Sequence, residues 1–213
     1  VDTDRFNPSI NKAFAKNENK ISPEVNALWA GKLVSDLTAQ AIKNIVLETS
    51  SKEQDIGFIL AIRIDNNREK LRSLSLKKQF CDMGLGNRVR FIHKLDDMAL
   101  LMASCDMLIY PFFKGFKKKI DIPYVIIEAM SCGLPVLISD IEPINEAIKD
   151  DAGILVKGDD PVFFSKAIID LYRNKESMAA IGAKNRKVVL RYFDLDKNVH
   201  EYEKIYDDLF RGE

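Results

Sequence analysis

Apolar runs of strand length recur along the chain, with amphipathic stretches between them. NALWAGK (26–32), IGFILAI (56–62), RVRFIH (88–93), DMLIYPF (106–112), PVLISD (135–140) and GILV (153–156) read as strands covered on both faces. Helical periodicity fills 36–49, 66–82, 96–104, 123–132 and 142–149. This alternation predicts an α/β fold: a Rossmann-like, mostly parallel six-stranded sheet with helices on both faces and right-handed crossovers. After Val156 no strand pattern remains, and 161–173, 175–191 and 195–210 read as a helical carboxyl-terminal extension. Asp96 is placed to cap 97–104, Asp160 precedes a proline at the first helical position, and Asp194 is a cap for the last helix. Residues 1–24 are polar and unpatterned apart from Phe6, Pro8 and Phe14, as in a linker between domains. The division is therefore 1–24 linker, 25–194 main domain and 195–213 terminal helix. In that helix Tyr202, Ile205, Tyr206, Leu209 and Phe210 recur at spacings of three and four. The stripe they form either packs on the domain's own sheet or awaits another surface, which would favour self-association of the fragment.

Composition narrows the function. The 213 residues are 46% hydrophobic and 30% charged, enough for a sizeable core. Thirty-two basic residues balance thirty-two acidic ones, so no overall field draws nucleic acid. The one basic cluster, Lys114 with Lys117, Lys118 and Lys119, reads as a solvated loop. Three cysteines, Cys81, Cys105 and Cys132, have no CxxC spacing, and two histidines stand far apart, so neither a disulfide framework nor a metal centre is expected. No apolar run reaches the length of a membrane span, and no signal-type core opens the chain; a cytoplasmic protein is expected. Val1, without a preceding Met, suggests a fragment of a longer protein.

Nucleotide chemistry has no familiar loop here. GKLVSDL follows the first strand where a dinucleotide fold would carry GxGxxG, and GLG (84–86) stands where a helix-ending glycine belongs. In an open parallel sheet, ligands bind beyond the carboxyl ends of the strands, in the loops after Gly31, Ile62, His93, Tyr110 and Asp140. The loop after the fourth strand leads to Pro123, which starts a helix whose free N–H groups suit an anion. Glu128 follows just over one turn in, among apolar residues and with no basic neighbour in sequence. A buried carboxylate needs donors, either from another loop or from a ligand's hydroxyls.

The block IPYVIIEAMSCGLPVLISDIEPINEAIKDDAGILVKGDDPVFFSKAI resembles the carboxyl-terminal half of the retaining glycosyltransferases of family four, which have the GT-B fold. WAGKLV, NRVRFIHKL, CDMLIYP, the opening VDTDRF and the closing FDLDKNVHEYEKIYDDLF are similar to other parts of the same half. The resemblance implies a domain that binds a nucleotide-diphosphate sugar as substrate, with no cofactor and no metal. It implies transfer to a glycan or lipid-linked acceptor held by an amino-terminal domain absent here, peripheral association of the full protein with a membrane face, and an inactive fragment. Carried over by position, it gives Glu128 the ribose hydroxyls; the backbone of Asp121, Ile122, Pro123 and Tyr124 the diphosphate or sugar; Lys32 the diphosphate; and His93 with Lys94 the base. The family's first glutamate is Ile120 here, its second lysine is Leu37, and its glycines after the second strand are replaced in AIRIDNN. A diverged, non-catalytic nucleotide-binding module is the alternative those departures keep open. An epimerase of similar two-domain fold is a more distant one.

Overall fold

A computed structural model describes residues 1–21, 25–112, 122–158 and 160–211. In chain order its elements are α1 (Lys12–Glu18), β1 (Val25–Gly31), α2 (Asp36–Lys52), β2 (Ile56–Ile62), α3 (Asn67–Asp82), β3 (Val89–Ile92), α4 (Met98–Ala103), β4 (Met107–Tyr110), α5 (Tyr124–Ser131), β5 (Val136–Ser139), a 3-10 turn (Ile144–Ala147), β6 (Ile154–Val156), α6 (Pro161–Arg173), α7 (Lys175–Tyr192) and α8 (Leu195–Arg211). Each strand expected from its apolar run is present within a residue or two.

The strands form one sheet in the order β3-β2-β1-β4-β5-β6, and every neighbouring pair is parallel. Side chains alternate across it. Ala27, Trp29, Phe58, Leu60 and Ile62 enter one core with residues of α2, α3 and α6. Leu28, Ala30, Ile59, Leu108 and Val136 enter the other, with residues of α4, α5 and α7. The order reverses between β1 and β4, so their crossovers diverge to opposite faces and leave a crevice at the carboxyl edge.

Three details depart from the sequence reading. Residues 1–21 are docked on the domain and contain α1, capped by the Asn11 side chain accepting from the Phe14 amide. Only Ala15 of that helix is buried, so it carries no apolar period, and its packing against α4 is what fixes it. The cap of α4 is Asp97, not Asp96: its carboxylate reaches the amides of Ala99 at 2.9 Å and Leu100 at 3.4 Å, whereas Asp96 stands one residue too early. Between Pro143 and the left-handed Asp150 and Asp151 (both φ 53°), the expected helix 142–149 is a four-residue 3-10 turn. The two left-handed residues cannot continue a right-handed helix, so the turn stops before them.

Asp160 with Pro161 starts α6, and the Asp194 carboxylate accepts from the Lys197 amide at the start of α8, both as expected. Gly84 ends α3 with φ 75°. The opening segment is latched to α7 by Arg186, whose guanidinium donates to the carbonyls of Thr3 (2.9 Å), Phe6 (2.7 Å) and Ser131 (3.0 Å). Close by, Gly182 lies against the carbonyl of Gly133, and a Cβ there would collide with it. Beyond this anchor α8 stands away from the core: its apolar stripe does not pack on the sheet, and exposure rises from 46% at Val199 to 89% at Phe210.

Candidate functional site

A cleft of about 520 Å³ opens at the carboxyl ends of β1 to β4, where the strand order reverses. Its walls include Gly31, Ile62, Arg63, His93, Tyr110 and the Pro123–Val125 start of α5. A smaller hollow of about 280 Å³ adjoins it, shares Gly31 and Tyr110, and is lined by Lys32 and Phe112.

Of the residues named from sequence, His93, Pro123 and Tyr124 line the larger hollow and Lys32 the smaller one, whereas Glu128, Ile122 and Lys94 line neither. Pro123 precedes α5 without a side-chain cap, so among the described residues the first amides of that helix have no side-chain partner at the cleft wall. Tyr124 is 78% exposed beside it, and Ile122 leads in half-buried. Glu128 is half-buried in the same helix, and no hydrogen bond or ion pair from a described residue reaches its carboxylate. Burial pushes this carboxyl above the ordinary glutamate range, against the opposing pull of Arg5 and the amino group of Val1. His93 places Nε2 2.8 Å from the Ser73 hydroxyl. Its imidazole is held below the usual histidine value, by burial first and by Lys77 second. Lys94 is exposed next to it. Asp121, Ile120 and the lysines at 114 and 117–119 lie outside the described residues.

Lys32 does not stand alone. It pairs with Asp65, which also accepts a two-pronged contact from Arg63, 3.1 Å from Nε to Oδ1 and 3.2 Å from an Nη to Oδ2. These contacts, Arg63 first and Lys32 second, hold the Asp65 carboxyl below its ordinary range. Strand register creates the cluster: Gly31 and Ile62 are partners across β1 and β2, so the residues that follow them meet. The Arg63 amide closes the ladder on the Gly31 carbonyl at 3.0 Å.

Arg5, Arg63, Asp65 and Tyr110 were missed as candidate site residues. Arg5 comes from the opening segment, lies in the cleft wall, approaches Asp97 at 3.8 Å and stacks over Phe6. The loss of glycines after β2 was the available signal for Arg63 and Asp65, because a side chain in a ligand-facing turn occupies ligand space. Nothing in the sequence singled out Arg5. Cys105 and Cys132 are buried, and burial pushes both thiols up to about 12, which makes them inert packing residues. Among the described residues no group of three His, Cys, Asp or Glu could hold a metal ion, and no helix is long and apolar enough to cross a membrane.

Comparison with known proteins places this geometry. The model of the family Glycosyl transferases group 1 matches residues 26–174. N-acetyl-alpha-D-glucosaminyl L-malate synthase of Bacillus anthracis is 28% identical over 206 residues, 96% of this chain and 50% of that protein. UDP-Gal:alpha-D-GlcNAc-diphosphoundecaprenol alpha-1,3-galactosyltransferase of Escherichia coli is 26% identical over 219 residues, 98% of this chain and 52% of that protein. Among solved structures, Anabaena HepE in complex with UDP and glucose superposes with a TM-score of 0.79 at 19% identity, over 97% of this chain and 55% of HepE. The chain spans about half the length of the relatives it matches.

Proposed function

Because this chain belongs to the family of group 1 glycosyl transferases, we propose that it is the donor-binding half of a retaining glycosyltransferase whose donor is a nucleoside-diphosphate sugar. The observation that carries this reading is Glu128, a half-buried carboxylate on the helix whose first turn walls the crevice, within the influence of the cleft residue Arg5 and with no hydrogen-bond or ion-pair partner among the described residues. A cis-diol supplies the two donors such a carboxylate lacks, and a ribose has one. Lys32, across the crevice at the end of β1, and the uncapped start of α5 meet the diphosphate. His93 and Lys94 flank the base at the end of β3. The backbone of Ile122, Pro123 and Tyr124 meets the phosphates or the sugar.

Transfer would then rest on electrostatic stabilisation of the departing diphosphate by Lys32 and the helix amides. Tyr110, whose hydroxyl burial keeps protonated, adds wall rather than charge. The acceptor binds to residues outside this chain, so this chain alone binds donor and transfers nothing. The E. coli relative is named for a diphosphoundecaprenol-linked substrate, which favours a lipid-linked or glycan acceptor and a full protein working in the cytoplasm at a membrane face. HepE, solved with UDP, favours a uridine nucleotide.

Calorimetry with UDP, UDP-sugars and free uridine tests the reading. Binding of the diphosphates that weakens in Glu128→Gln is expected. Absence of nucleotide binding at millimolar concentration sinks it. One observation favours a non-catalytic module instead: Leu37, in the position of a family lysine, is 64% exposed and brings no charge to the diphosphate side. Activity of the full-length protein separates the two, and the anomeric configuration of its product tests retention.

A further inference from the structure

Arg63 lines the larger hollow and Lys32 the smaller one beside it, and one carboxylate, Asp65, engages both. Its position is fixed by its own helix. Asn66 caps α3 through the Glu69 amide at 3.0 Å, and the Glu69 carboxylate, buried at 6% exposure, accepts from the Asp65 amide at 2.8 Å. Asp65 is thereby presented to Lys32 and Arg63 by a rigid turn. Its two oxygens accept from a guanidinium fork and an ammonium, as phosphoryl oxygens do.

We propose that Lys32 and Arg63 form a two-cation phosphate subsite, and that Asp65 is a resident counter-anion which occupies it until a diphosphate displaces it. The source of that diphosphate rests on the donor reading above; the subsite itself does not. Arg63 becomes a binding residue alongside Lys32, and Asp65 becomes a specificity residue. It pre-positions both cations and raises the threshold for anions, so a weakly charged phosphate displaces it less readily than a diphosphate. Asp65 stays ionised throughout the neutral range because both of its partners hold its proton affinity down.

The experiment is calorimetry with inorganic pyrophosphate, UDP and uridine on the wild type, Asp65→Asn, and the triple variant Lys32→Ala/Arg63→Ala/Asp65→Asn. Exposed ion pairs are weak, so Asp65→Asn should tighten pyrophosphate and UDP by about two- to fivefold and leave uridine unchanged. The triple variant should lose that gain. Unchanged or weaker pyrophosphate binding to Asp65→Asn overturns the proposal, as does a gain that persists in the triple variant, because the effect would then be a general change of field. If pyrophosphate shows the gain while UDP binds no variant, the donor reading falls and the subsite stands. If UDP binds, responds to Glu128→Gln and ignores Asp65→Asn, the subsite falls and the donor reading stands. Circular dichroism checks that the Asn66-capped α3 survives in each variant.

Discussion

Glu128 sets binding against stability. Its carboxyl is raised in the folded chain, so folding favours the protonated form. That contribution is full at pH below the unfolded carboxyl value and is lost as pH rises through the folded one. Once pH has risen past the folded value, the unliganded protein therefore carries an ionised group it would be more stable without. Glu128→Gln should melt no lower than the wild type at pH 7, and this advantage should shrink as pH falls through the carboxylate range, read by thermal melts at each pH. The same variant should weaken nucleotide binding by roughly 1.5–3 kcal/mol if the carboxylate meets the ribose. A protein that loses stability with its nucleotide affinity intact would make Glu128 structural. Lys32→Ala should cost about tenfold in affinity for a nucleoside diphosphate and leave the nucleoside unaffected. Equal losses for both would remove Lys32 from the site.

Elements here are held by a few long-range contacts more than by their own propensities. The opening segment depends on Arg186, which satisfies carbonyls of Thr3, Phe6 and Ser131 at once. Arg186→Met keeps the aliphatic stem but orphans the carbonyls of Thr3 and Ser131, while Phe6 keeps the Ser131 hydroxyl, and should cost about 2–3 kcal/mol. In limited proteolysis the first cuts should then move into residues 1–21; an unchanged cleavage pattern would show the latch to be redundant. The approach of α7 to the turn after α5 requires Gly182. Gly182→Ala drives a Cβ into the Gly133 carbonyl, and Gly133 itself sits at φ 73° and cannot readily yield. A loss of about 1–3 kcal/mol is expected, as for other overpacked sites. Denaturant melts measure it.

At the scale of the molecule, α8 is the unfinished part. Val199, Tyr202, Ile205, Tyr206, Leu209 and Phe210 form an exposed apolar stripe on a helix anchored mainly at its start. A stripe of this length is covered when a surface is offered. The relatives are about twice as long as this chain, so on the donor-half reading proposed above a surface of the other half is the expected cover. Hydrogen exchange in this chain alone should be fast through 199–211 and slow through α7. Sedimentation should detect concentration-dependent association, relieved by Leu209→Lys. Strong protection of α8 in a proven monomer would mean that the helix folds back onto its own domain.

The sequence by itself determined the sheet and its helices, because the information is local. Two-sided burial writes unbroken apolar runs, helices write a period of 3.6, and Asp160, Pro161 and Asp194 mark starts within one turn. The same locality made Glu128 legible: an acid inside VIIEAM violates the pattern around it. Its proposed role came from the resemblance, not from its spacing. What only the tertiary structure decided are contacts between distant residues. Helix α1 exists because α4 and the latch hold it, and its own sequence shows no stripe. Lys32, Arg63 and Asp65 meet because β1 and β2 align Gly31 with Ile62, an interstrand register that neither segment records alone. Arg5 enters the cleft because Arg186, far along the chain, fixes the backbone on either side of it. Local pattern fixes where the chain is helix or strand; which charges face one another depends on how those elements are stacked.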